Sequence, residues 1–381
     1  VSRQIGVLLL FMLAGCSTLS YYGQAVQGQA SLLLKRQSVP ALLKSPQTSP
    51  ALRDRLETSQ AALRFAEQHL ELPNQGRYQS LVVTGRRAVV WNVVATPALS
   101  LTPLRWCCPV VGCVPYRGFF SETSAMRVAT QLREARRVVS VGGVAAYSTL
   151  GWFKDPLLDT FIHWSDGDLG NLLFHELAHG RVWVNGDAAF NESLASFVGN
   201  QGALLWLDNR PQELSRYQSD QAAEERFAIL LAGLRMRLES VYTATAEDGM
   251  KQQQAQDVYA DFRLCHAARR HRSGNDRYDA IVANRLNNAY LAAVQTYAEF
   301  TPAFVTLFEE AGSRWPAFWS AVDQLAAMSE DQRHQRLRDL LTVANQTSGQ
   351  HRITDRSDHH DTDEVECQPF LGHPAGGKGA G

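Results

Sequence analysis

The sequence predicts an α+β, mainly helical fold in which a small β-sheet precedes one central helix and the C-terminal half is helical. Three observations carry this. Residues 81–96 form a Val-rich, β-branched run bounded by Gly85 and Pro97. The stretch 169–184 is apolar and free of proline, and nearly every segment after residue 190 keeps a helical pattern. With 381 residues, 45% of them hydrophobic, the chain can bury a sizeable core. A net charge of -1 leaves no electrostatic footprint for nucleic acid.

From the beginning of the chain, Arg3 is followed by an unbroken apolar run, 5–13, too short to span a bilayer. It ends in Leu13-Ala14-Gly15-Cys16, so residues 1–15 read as a signal peptide. Residues 16–346 read as one domain, with a helix-and-sheet part (16–168) and a helical part (169–346). A helix is expected over 20–35, then a connection between Pro40 and Pro50. An amphipathic helix follows over 51–72, with Leu52, Leu56, Leu63, Ala66 and Leu70 on one period and Pro73-Asn74 as its stop. The Val-rich run supplies one or two strands. Another helix, 122–136, leads into a strand over 138–147 that is interrupted by Gly142 and Gly143; glycine inside a strand marks close approach of another backbone. After the central helix, helices are expected over 190–207, 219–242, 255–270, 278–300, 302–311, 315–328 and 329–344. From 347 to 381 the chain is polar, holds His351, His359, His360 and His373, and reads as a tail unable to bury enough surface to fold.

The chemistry concentrates in His175-Glu176-Leu177-Ala178-His179 and, beyond a turn at Asn185-Gly186-Asp187, in Asn191-Glu192-Ser193-Leu194-Ala195. On a helix, His175 and His179 stack one turn apart on one face and can share a metal ion, while Glu176 sits beside that face where a general base would reach a metal-bound water. A hydrolytic zinc site keeps three protein ligands and an open position. Glu192, facing back from the first turn of the next helix, is the candidate third ligand. Asp187 is its rival, and a third histidine six residues beyond the second is excluded because Asn185 stands there. By chance H-E-x-x-H is expected in roughly 2% of chains of this composition; the buried helix around it and the carboxylate that follows are what give it weight. Two imidazoles and a carboxylate suit one Zn2+ ion.

HELAH followed by a helix opening Asn-Glu-x-x-Ala-Ser resembles the gluzincin metallopeptidases, especially the zinc aminopeptidases with an N-E-G-F-A-S segment. More widely, Tyr21-Tyr22-Gly23-Gln24-Ala25-Val26-Gln27-Gly28, Val90-Trp91-Asn92-Val93, Trp106-Cys107, Gly112-Cys113, Tyr116-Arg117-Gly118-Phe119-Phe120 and the stretch from Ala146-Tyr147 to Asp155-Pro156 resemble a family of predicted aminopeptidase lipoproteins of Gram-negative bacteria, over about residues 16 to 345. The resemblance implies a gluzincin-like fold, one Zn2+ held by His175, His179 and Glu192, Glu176 as general base and a peptide substrate. It implies that the strand ahead of the zinc helix pairs with extended substrate, and that a tyrosine or histidine from another segment donates to the oxyanion; Tyr147 and Tyr290 are the candidates. Residues 145–152 depart from the aminopeptidase pattern, since they hold no acid to bind a free amine; Asp155 and Asp159 are the nearest carboxylates. Leu13-Ala14-Gly15-Cys16 resembles the bacterial lipoprotein box, which implies lipidation of Cys16, a membrane anchor and, with Ser17 next, the outer membrane facing the periplasm. Export favours disulfides among Cys107, Cys108, Cys113, Cys265 and Cys367. Either Cys107 or Cys108 can close a small loop with Cys113, and the resemblance favours Cys107. A zinc-binding but inactive envelope scaffold and a hydrolase of non-peptide or cell-wall amides are the alternatives.

Overall fold

The structure is a computed structural model that describes residues 23–108, 112–146, 154–273, 276–295, 300–352 and 367–371. Residues 1–15, expected to be a signal peptide, and Cys16 and Tyr147 lie outside the described residues. Helix α1 covers 23–34 of them. Next come β1 (Gln37–Ser38), α2 (Val39–Lys44), α3 (Pro50–His69), β2 (Ser80–Val82), β3 (Val90–Thr96), β4 (Trp106–Cys108), β5 (Gly112–Val114), β6 (Arg117–Phe119), α4 (Glu122–Glu134), β7 (Val138–Val144) and β8 (Leu157–Leu158). The helical half comprises α5 (Asp166–Arg181), α6 (Ala188–Leu207), α7 (Pro211–Thr243), α8 (Asp248–Ser273), α9 (Asp279–Asn284), α10 (Asn288–Gln295), α11 (Thr301–Glu310), α12 (Trp315–Ala327) and α13 (Glu330–Arg352), with a 3-10 turn at Gln368–Phe370. The fold is α+β and mainly helical. Among the described residues no helix is long and apolar enough to cross a membrane.

In place of the single sheet expected from sequence, the described residues form three small ones, ordered β1-β2-β8, β6-β3-β7 and β4-β5. The last is a hairpin with Cys107 opposite Cys113, joined by a disulfide. Strand β7 ends at Val144, short of the expected 147, and lies at one edge of its sheet, antiparallel to β3. Its Gly143 makes room for neighbours: a Cβ there would lie 2.8 Å from that of Ala88. The expected helix over 278–300 is split, because Asn287 Oδ1 accepts from the Tyr290 amide and starts α10 afresh.

The largest core gathers α3, α5, α6, α11, α12 and α13 with the first sheet. Helix α3 is opened by Ser49, whose side chain accepts from the Leu52 amide, with Pro50 at the first helical position; it buries Leu56, Leu63 and Ala66. Trp319 on α12 closes its far end by donating to the Leu70 carbonyl at 2.8 Å. A second core joins α7 to α10 and holds Cys367 and Phe370, which the sequence assigned to an unfolded tail. That expectation is corrected: α13 runs to Arg352, and residues 367–371 dock against α7 and α8 through a Cys265–Cys367 disulfide. Gly233 on α7 lets them in, since a Cβ there would lie 2.2 Å from the Phe370 carbonyl oxygen.

Candidate metal centre

Two consecutive helices build the site. Ser165 opens α5 by accepting from the Asp168 amide, and Asp166 and Asp168 in the first turn complement the helix dipole. Leu169, Leu173, Phe174 and Leu177 are buried, which turns the neighbouring face, with His175 and His179, toward α6. Asp187 opens α6 by accepting from the Phe190 amide at 3.0 Å. Between the helices, Asn191 holds the turn shut: its Oδ1 accepts from the Val184 amide (2.9 Å) and its Nδ2 donates to the Val184 carbonyl (2.7 Å). The next residue, Glu192, is thereby presented to the two histidines. Ser193, next to Glu192 on α6, accepts from the Phe300 amide at 3.0 Å.

His175 Nε2 and His179 Nε2 are 3.2 Å apart. Glu192 Oε2 lies 3.5 Å from the first and 3.7 Å from the second. Donors 2.0–2.1 Å from one tetrahedral ion are separated by roughly 3.3–3.4 Å, so the three atoms have the spacing of ligands around a common ion. They form the one group of three or more metal-capable side chains among the described residues. The charges agree with that arrangement. Burial acts to raise the Glu192 carboxyl, but His175 and His179 outweigh it and hold it at about 2. Burial would lower His175, yet contact with Glu192 and the charges of Glu176 and Glu192 prevail and raise it. Glu176 Oε2 is buried without a hydrogen-bond partner, which is costly unless a donor meets it. The Trp183 ring meets His179 edge-on at 5.4 Å.

Asp187, the rival ligand, is occupied elsewhere: it caps α6 and accepts from Arg333 Nε at 2.7 Å and His334 Nε2 at 2.9 Å. Tyr290 is on α10 in the second core, under the Arg285 guanidinium at 5.9 Å, and none of its interactions given by the structure is with the four site residues. Asp159 accepts from the Thr84 and Gly85 amides, and Asp155 is buried with its carbonyl bonded to the Tyr78 amide. Sequence reasoning missed Arg77 and Tyr78. Arg77 Nη1 donates to the Glu176 carbonyl at 3.3 Å, and the buried Tyr78 phenol is raised by desolvation first and by the Glu176 charge second. The available signal was Gly180, a glycine in the helix next to the second histidine, where close packing of another group is the usual reason.

Fold and site together define an α+β, mainly helical protein with a candidate three-ligand metal centre and an adjacent carboxylate. A family model described as "Putative aminopeptidase" matches residues 20–337, and the chain belongs to that family. No curated protein and no solved structure matches the chain.

Proposed function

We propose that the protein is a zinc-dependent peptidase of the bacterial cell envelope, with trimming of amino-terminal residues as the finer reading of its specificity. The observation that carries this is the meeting of His175, His179 and Glu192 within ligand spacing, beside Glu176, whose Oε2 is buried without a hydrogen-bond partner. Family membership supports a peptide substrate. A zinc ion bound there supplies Lewis acidity and a water of lowered pKa. Glu176 accepts the proton of the attacking water and delivers it to the leaving amine. Trp183 and the helix packing hold His179 in place, and the Asn191–Val184 bonds hold Glu192. For the oxyanion, Tyr147 is kept over Tyr290, whose ring is engaged in the other core. Export and a lipid anchor at Cys16 belong to the same proposal; the disulfides Cys107–Cys113 and Cys265–Cys367 support an oxidising compartment.

The test is metal content together with hydrolysis of a mixed peptide library, wild type beside Glu176→Gln, on protein lacking residues 1 to 16. Zinc in both and cleavage by wild type alone is the expected result, and the cleaved positions separate amino-terminal from internal cutting. Zinc in both without cleavage by either would overturn the peptidase reading.

A further inference from the structure

Residues 70–79, between α3 and β2, follow a path that few loops adopt. Glu71 (φ 54°), Gln75 (φ 52°) and Tyr78 (φ 60°) all occupy the left-handed region, with Gly76 (φ 78°) among them. Glu71 ends α3 in the manner of many helices. Gln75 and Tyr78 have no such reason, and non-glycine residues keep this conformation only where their surroundings over-determine it, commonly beside functional sites. Those surroundings are present: Asn74 Oδ1 accepts from the Gly76 amide (2.8 Å), the Asn74 carbonyl from the Arg77 amide (2.9 Å), and the Tyr78 amide donates to the Asp155 carbonyl (2.7 Å).

What the loop delivers is Arg77. The residue is 6% exposed, and Nη1 donates to the Glu176 carbonyl at 3.3 Å. Its guanidinium lies against Gly180, one turn further along α5: a Cβ there would fall 2.0 Å from Nη1, 2.3 Å from Nη2 and 2.4 Å from Cζ. Any larger residue at 180 would expel it. The poorest helix former after proline therefore stands next to His179 because a buried cation takes the place of its side chain.

We propose that Arg77 is a positioning residue for Glu176, seated by Gly180, and that the 70–79 loop is shaped to hold it there. This rests on the reading of Glu176 as general base. A charged donor on Glu176's own carbonyl fixes that residue's backbone, and with it the aim of the carboxylate toward the point where His175, His179 and Glu192 meet. Arg77 acts through Glu176 and does not itself touch substrate.

The test compares Arg77→Ala, Arg77→Lys, Gly180→Ala and the Arg77→Ala/Gly180→Ala pair in the full chain, measuring zinc content, kcat and KM separately, and hydrogen exchange across α5 in zinc-free protein. Arg77→Ala is expected to keep its zinc and its KM while kcat falls on the order of 10²-fold, the scale of a small misplacement of a reacting group. Arg77→Lys recovers part of the loss, Gly180→Ala reproduces it, and the pair loses no more than either single variant. In zinc-free Arg77→Ala, amides over 177–181 exchange about tenfold faster, as expected for one lost charge-assisted bond, and those over 169–173 do not change. Unchanged kcat, or a uniform rise in exchange along all of α5, would overturn the proposal, the latter by reducing Arg77 to general support of the fold. If wild type cleaves no peptide, the peptidase reading fails and the exchange pattern alone decides the role of Arg77.

Discussion

Asp187 and Arg333 stand 146 residues apart in the chain and meet at 2.7 Å, each only 3% exposed. The contact ties α13 to the first turn of α6, a few residues ahead of Glu192. His334 adds a second bond to the same carboxylate, and the Arg333 guanidinium covers the Phe190 ring at 5.3 Å. Arg333→Ala takes one charged donor from a buried carboxylate that keeps the Phe190 amide and His334, and should cost about 3 kcal/mol in urea unfolding, with weaker zinc retention because the start of α6 loosens.

The same carboxylate sets a pH dependence. Burial alone would raise Asp187, but the Phe190 amide, His334 and Arg333 together hold it below 3.8. A carboxyl lowered on folding stabilises fully above its unfolded value, and the contribution disappears as pH falls through the folded value. The stability gap between wild type and Asp187→Asn is therefore expected to be wide at neutral pH and to narrow below pH 3.8. Chemical denaturation of both proteins at several pH values measures it; a gap of constant width down to the acid limit would contradict the assignment.

On the proposed function, Glu176→Gln should leave the candidate zinc ligands in place and lower turnover by about 10²–10⁴-fold, the range of a lost general base. Glu192→Ala should lower zinc content, read by metal analysis after gel filtration, whereas Asp187→Asn should not remove the metal outright. Removing zinc from wild type with a chelator is expected to abolish cleavage while the helical signal in circular dichroism persists, since the core around α5 and α6 is apolar and continuous.

Gly199→Ala tests the fit between α5 and α6. A Cβ at Gly199 would lie 2.4 Å from Asn171 Oδ1 and 2.8 Å from the Asn171 carbonyl oxygen. The helices must part or the Asn171–Asn200–Tyr217 bonds must break. Overpacking of this kind costs about 1–3 kcal/mol, and it should weaken zinc binding more than an equally destabilising change in α8, as compared by equilibrium dialysis.

Reduction of Cys265–Cys367 should lower the melting temperature without altering zinc content. The bridge closes a loop with a sequence separation of 102, and disulfides of this kind contribute about 2–4 kcal/mol. Cys265→Ser, measured beside wild type with and without reductant, isolates this bridge from Cys107–Cys113.

The spacing of His175, Glu176 and His179 on a helix could be read directly because α-helical periodicity is local, and the turn before Glu192 was marked by Asn185-Gly186-Asp187. Helix starts were marked by Pro50 and Pro302, whereas α7 begins at Pro211, eight residues ahead of the expected 219. The break at Asn287 was missed although an asparagine cap was in plain sight, since the apolar pattern of 278–300 continues through it. Partners far apart in the chain were not legible. Nothing local links Cys265 to Cys367, Arg333 to Asp187, or Arg77 to Gly180; each depends on how whole helices pack. The docking of Phe370 shows the limit of composition, because one disulfide and a buried phenylalanine can hold a short apolar segment of an otherwise polar tail.

The donors and their supports differ in chain distance. His175, Glu176, His179 and Glu192 lie within a single pair of neighbouring helices, while Arg77, Phe300 and Arg333 reach that pair from both sides of the sequence. Contacts between near neighbours form sooner than those that must close long loops. On the proposed function, the folding chain would thus assemble its candidate ligand cluster first and gain its aim last, when the flanking segments arrive. Metal capture and catalytic competence would then be separate events in the life of the protein, and a truncation or a distant substitution could remove the second while leaving the first intact.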